Sequence, residues 1–193
     1  MQYGLCYLSV VALRSEASDT SELISQVLYG DYFKVLEHRK LWSRIRLGFD
    51  KYEGWIDNKQ FLFIDELEYK NLHKSDPLMS TDLVDFITNQ KQQLHPVLLG
   101  STLNGLSYLK HAFEGEKSVG TKEKSKLIDT AILYLNTPYL WGGKTPFGID
   151  CSGLVQMVYK LNGFKILRDA SQQATQGDAL FLIIMKEILF MWV

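Results

Sequence analysis

Residues 137–153 read TPYLWGGKTPFGIDCSG, and the cysteine near their end, Cys151, stands where a thiol can become a nucleophile. Leu154, Val155, Val158 and Leu161 follow it at helical spacing, which predicts a buried helix with Cys151 in its first turn. The positive end of the helix dipole there favours thiolate over thiol, the form that attacks an amide carbon. Pro138, Gly142, Gly143 and Gly148 predict an irregular, tightly folded approach to the helix. Amide hydrolysis also needs a base, a group to orient it, and donors for the developing oxyanion. The backbone N–H groups of Cys151 and Ser152 and the hydroxyl of Tyr139 are candidate donors. No histidine follows Cys151; His38, His73, His95 and His111 all precede it and read as surface or structural residues. The competing reading of Cys151 is a buried thiol acting as a small hydrophobe.

Two other chemistries are weaker. Gly143-Lys144-Thr145 has the end of a phosphate loop, but Pro138 stands where that loop requires a glycine. Neither cysteine has a histidine or second cysteine nearby, so neither a metal site nor a cofactor is expected.

The elements that must position Cys151 start far upstream. Residues 5–13, 26–28, 32–37, 42–47 and 54–57 are rich in β-branched and aromatic residues, with turn clusters between them, and predict a small β-barrel. Trp42, Tyr52 and Trp55 could line a ligand groove on it, fill its core or brace a neighbouring domain. Residues 65–73 read as a short charged helix or linker, interrupted by Pro77. Strands are expected at 83–87 and 96–99, while 103–113 is ambiguous. A second small barrel of the same kind is the preferred reading of 65–122 and a partly structured linker the alternative. Charged residues 116–126 lead into a helix expected at 127–135.

The chain has 193 residues and a formal net charge of −1, which gives no electrostatic case for nucleic acid or an anionic membrane surface. No segment reaches the ~20 apolar residues of a membrane span. Cys6 and Cys151 show no disulfide framework spacing, so a reducing compartment is the simpler expectation. The amino terminus lacks a basic leader, and a cytoplasmic location is expected.

PYLWGG, DCSGLVQMVY and RDASQQ, within residues 126–176, resemble the NlpC/P60 family of bacterial cell-wall cysteine peptidases. VALRSEAS, VLYGDYFKVLE, WSRIRL and YEGWIDNKQF, within 3–63, resemble a bacterial SH3 (SH3b) domain, which commonly precedes NlpC/P60 domains. The resemblance implies an α+β chain with an SH3b domain at 1–64, a linker or second SH3-like domain at 65–122, and an incomplete papain-like domain at 123–193. It implies hydrolysis of the γ-D-glutamyl–diamino acid bond in peptidoglycan-derived peptides, with Cys151 as nucleophile and Tyr139 and Trp141 lining the cleft. Asp150 and Ser152 resemble residues that hold a free peptide amino terminus. Asp169 falls at a further polar contact, although Ala170 replaces an expected serine, and Glu16 is a second candidate for the ammonium. The alternative function is peptide binding without catalysis.

The family's base is a histidine on a strand reading His-Val-Gly, beyond a Gly-Asp-Leu-x-Phe-Phe segment. Here Gly177-Asp178-Ala179-Leu180-Phe181 is followed by LIIMKEILFMWV. Met and Trp each have a single codon, so residues 190–193 read only His-Val-Gly or Tyr-Val-Gly in the neighbouring frame. The expectation is a truncated or frameshifted carboxyl end with impaired catalysis; a genuine apolar closing strand or helix is the alternative.

Overall fold

The computed structural model describes residues 1–176. The reading of the carboxyl tail lies outside them.

Seven strands form an antiparallel sheet: β1 (Gln2–Leu5), β2 (Val10–Arg14), β3 (Leu23–Leu28), β4 (Tyr32–His38), β5 (Trp42–Leu47), β6 (Glu53–Asp57) and β7 (Leu62–Ile64), in the order β3-β2-β6-β5-β4-β1-β7. Alternating apolar positions explain its curvature around one core. In β5, Ser43, Ile45 and Leu47 are buried while Arg44 and Arg46 are exposed and pair with Glu53 on β6. Val11, Leu13, Val27, Phe33, Val35, Ile45 and Ile56 meet inside. The strand expected across 5–13 is two strands, β1 and β2. The chain turns between them, and Cys6 exchanges backbone hydrogen bonds with Gly30 and Asp31. The strand expected at 42–47 appears with those bounds, and the other expected strands with ends shifted by at most three residues.

Helix α1 (Glu66–Lys74) follows, started by a reciprocal pair of bonds between Asp65 and Glu68. Its Tyr69 stacks on Tyr3 of β1 at 4.4 Å between ring centroids. Next come β8 (Leu78–Ser80), β9 (Val84–Thr88), β10 (Leu94–Leu98), α2 (Leu106–Leu109), β11 (Ala112–Phe113) and β12 (Lys117–Val119). They form a three-stranded sheet, β10-β9-β11, and a separate β12-β8 pair. The ambiguous stretch 103–113 thus holds a single helical turn and a short strand. Ile87, Val97, Leu103 and Phe113 pack there with Tyr29, contributed by the turn after β3.

Helix α3 (Lys126–Ile132) ends earlier than expected, because the chain turns through Asn136 in the left-handed region (φ 67°) before Pro138. The hairpin β13 (Lys144–Thr145) and β14 (Gly148–Ile149) then leads into α4 (Cys151–Leu161), and α5 (Ala170–Gln173) follows. Leu127, Tyr134, Ile149, Leu154, Met157, Val158 and Leu161 share a core with Leu28 and Leu99. The carboxyl-terminal helices are therefore seated on the amino-terminal sheet and the central segment alike. Among the described residues, no helix is long and apolar enough to cross a membrane.

Candidate active site

Helix α4 is buried along nearly its whole length, from Ser152 to Leu161 except Tyr159, yet Cys151 at its head is exposed and free. The fold holds that head in place from four directions through Asp150. Its Oδ1 accepts from the Gly153 N–H at 2.6 Å and from the Ser152 hydroxyl at 3.1 Å. Its Oδ2 accepts from the Gly142 N–H at 2.8 Å. Arg168, 1% exposed, closes the set by donating Nη1 to Oδ1 at 2.9 Å and Nη2 to Oδ2 at 2.6 Å. This two-pronged pairing is the strong form of a carboxylate contact. Burial alone would raise the Asp150 pKa, but Arg168 and the two backbone donors outweigh it and hold the carboxyl below its usual range.

Asp150 caps α4 and ties it to the Gly142 turn, so Cys151 and that turn keep a fixed relation. Gly142 adopts φ 76°, and a Cβ there would lie 2.4 Å from the Leu23 carbonyl oxygen. Gly153 is required for similar reasons, since its Cβ would stand 2.3 Å from the Gly143 carbonyl oxygen. The Gly153 and Leu154 N–H groups are taken by Asp150, while those of Cys151 and Ser152 meet no acceptor among the described residues.

Tyr139 and Trp141 are both exposed, at 59% and 61%. Partial burial and the negative charges of Cys151 and Asp150 hold the Tyr139 phenol above its ordinary pKa. Trp141 donates Nε1 to Glu22 Oε1 at 2.7 Å. Its indole therefore rests on the end of the loop that carries Glu16, an exposed residue. Asp169, half-buried, accepts from the Tyr52 hydroxyl at 2.8 Å through Oδ1, and its side chain and that of Gln172 form a capping box at the start of α5. Burial first, and then this bond to a carboxylate, raise the Tyr52 pKa. Gln173 of α5 donates to the Ser152 carbonyl at 2.9 Å, which sets Asp169 beside the head of α4.

The placement changes the parts assigned to several residues. Asp150 and Ser152 are turned inward, and every oxygen of Asp150 is committed within the fold, so the pair builds the floor of the site rather than presenting a free carboxylate. Arg168, Gln173, Glu22 and Tyr52 join the site without having been singled out for it. Arg168 lay in view inside RDASQQ, but nothing local says that a surface-type residue is buried. Of the three aromatics, Tyr52 braces the carboxyl-terminal part, while Trp55 lies under the Arg39 guanidinium at 4.2 Å. The four histidines are engaged elsewhere: His38 with Ser43, His73 with Tyr32, and His111 with Tyr29 and stacked on His95. Among the described residues, no group of three or more His, Cys, Asp or Glu side chains is arranged to hold a metal.

Two families match the sequence. Residues 13–61 match the bacterial dipeptidyl-peptidase SH3 domain and residues 136–187 match the NlpC/P60 family. Dipeptidyl-peptidase 6 of Lysinibacillus sphaericus is 29% identical, over 82% of this chain and 69% of that protein. A γ-D-glutamyl-L-lysine dipeptidyl-peptidase of Bacillus cereus is 26% identical, over 78% of this chain and 50% of that protein. A solved NlpC/P60 family protein from Bacillus cereus superposes with a TM-score of 0.71 at 18% identity, covering 91% of this chain and 77% of the other, a likeness of fold.

Proposed function

We propose that this chain, which matches the NlpC/P60 family over residues 136–187 and a bacterial SH3 domain over 13–61, engages peptidoglycan-derived peptides through the Cys151 cleft. In the reaction the Cys151 thiolate adds to the γ-D-glutamyl carbonyl carbon, the C–N bond breaks as the diamino acid leaves with a proton from water, and a second water hydrolyses the thioester to free the acid and the thiol. The observation that carries this reading is the exposed thiol at the head of an otherwise buried helix, beside N–H donors suited to an oxyanion. Asp169, half-buried beside the head of α4, is the carboxylate offered for the peptide's free ammonium; Glu16, on the neighbouring loop, is the second.

In the sequence no histidine follows Cys151, and the four that precede it are engaged elsewhere. Acylation without a base is slow, so the reading includes weak turnover with intact peptide binding. The test pairs hydrolysis of L-Ala-γ-D-Glu-L-Lys, followed by chromatography, with calorimetric binding of the same peptide. Slow release of L-Lys abolished by Cys151→Ala, with binding reduced by Asp169→Asn, is expected. Neither hydrolysis nor saturable binding would overturn the assignment. Binding with no Cys151-dependent release would leave the peptide-binding reading in its place.

A further inference from the structure

We propose that the cavity between the amino-terminal sheet, α1 and the far end of α4 binds a small oxyanion, a carboxylate or phosphate, through Lys144, Lys160 and Lys165. The cavity has a volume of about 40 Å³. Lys160 sits nine residues along α4 from Cys151, about 13 Å at helical rise, so this place is separate from the thiol cleft.

The charges around the cavity do not balance. Three lysines line it and a single carboxylate, Asp31, answers them. Asp31 is already occupied, accepting from Lys160 Nζ at 3.2 Å and from the Leu28 N–H at 2.9 Å. Lys144 is only 2% exposed and lines the cavity, and its ammonium makes no hydrogen bond or ion pair with another of the described residues. Burial pushes its pKa down to about 8, with Asp31 and Asp50 only partly offsetting this. Asp50 cannot turn toward it, because its two oxygens hold the Gln156 side chain and the Tyr52 N–H. Facing the cavity beside Lys160 and Lys165, this ammonium gains charge-assisted hydrogen bonds from an oxyanion held there. At the mouth, burial and the positive charges of Lys51, Lys165 and Lys34 lower the His73 pKa, a sign of uncompensated positive charge.

The test is calorimetric titration of the whole chain at pH 7 with inorganic phosphate and, separately, with acetate, each against sodium chloride of matched ionic strength. Saturable binding of either anion, weakened at least about tenfold by Lys144→Met and unchanged by Cys151→Ala, is expected. Binding of phosphate alone or of acetate as well distinguishes the two oxyanions, and either supports the site. Lys165→Gln, an exposed substitution, carries the test should Lys144→Met not fold, and it should weaken binding severalfold. No saturable heat beyond the chloride control, affinity indifferent to Lys144 and Lys165, or affinity lost with Cys151→Ala would overturn it.

Discussion

Replacing Arg168 by methionine keeps most of the aliphatic volume and removes a buried charge with all its donors. The guanidinium bonds both oxygens of Asp150, at 2.9 and 2.6 Å, the Ser152 hydroxyl at 2.8 Å and the Ser25 hydroxyl at 3.0 Å. Asp150 is 7% exposed, so the variant leaves an ionised carboxylate buried with only neutral donors. Breaking a buried pair in this way costs about 3–5 kcal/mol, a large share of the ~5–15 kcal/mol that holds a domain folded. The pH dependence follows from the same pair. In the native protein the Asp150 pKa is depressed, so its contribution is present above about pH 4 and fades as the pH falls through the native value. Without Arg168, burial raises that pKa, the variant takes up a proton on folding in weak acid, and its deficit shrinks as the pH drops toward 4. Urea unfolding followed by circular dichroism at pH 7 and pH 4 measures both effects. The double variant Asp150→Asn, Arg168→Met should be no less stable than Arg168→Met alone, since the unpaired charge is gone. A loss under about 1 kcal/mol at pH 7, or a deficit that does not narrow by pH 4, would refute the reasoning.

Two further outcomes follow from the cysteine environments and from the Gly142 turn. Iodoacetamide at pH 8 should label Cys151 while sparing Cys6, whose thiol is fully buried and pushed up to about 12 by burial; peptide mapping by mass spectrometry reads the ratio, and comparable labelling in the folded chain would contradict it. Gly142→Ala should cost about 2 kcal/mol or more, because its Cβ would lie 2.4 Å from the Leu23 carbonyl oxygen at φ 76°; a urea midpoint unchanged from the parent would count against the described turn.

How much was legible depended on the range of the interactions. The helix at Cys151 could be read because Leu154, Val158 and Leu161 repeat locally, and β5 because Ser43, Ile45 and Leu47 alternate with arginines. The break between β1 and β2 leaves no local mark, since it is set by Cys6 bonding to Gly30 and Asp31, more than twenty residues away. Asp150 was marked as chemically important, but its role depends on Arg168 and Gly142, whose proximity no spacing rule announces. Gln156 and Lys160, one helical turn apart, carry no local signal of what they meet. Their shared face meets Asp50 and Asp31 of the sheet region.

Those contacts bear on how such a chain can be recombined. Glu22, Ser25, Gln26, Asp31, Asp50 and Tyr52 reach, respectively, Trp141, Arg168, Lys144, Lys160, Gln156 and Asp169. The amino-terminal domain is thus a mould in which the cleft is cast, and the two halves are not interchangeable cassettes. A graft that brought in a foreign domain with a perfect junction but without those six side chains would deliver the thiol and misplace its surroundings. Compatibility between partners in a shuffled library would be inherited through a handful of positions in residues 22–52, far from any splice point.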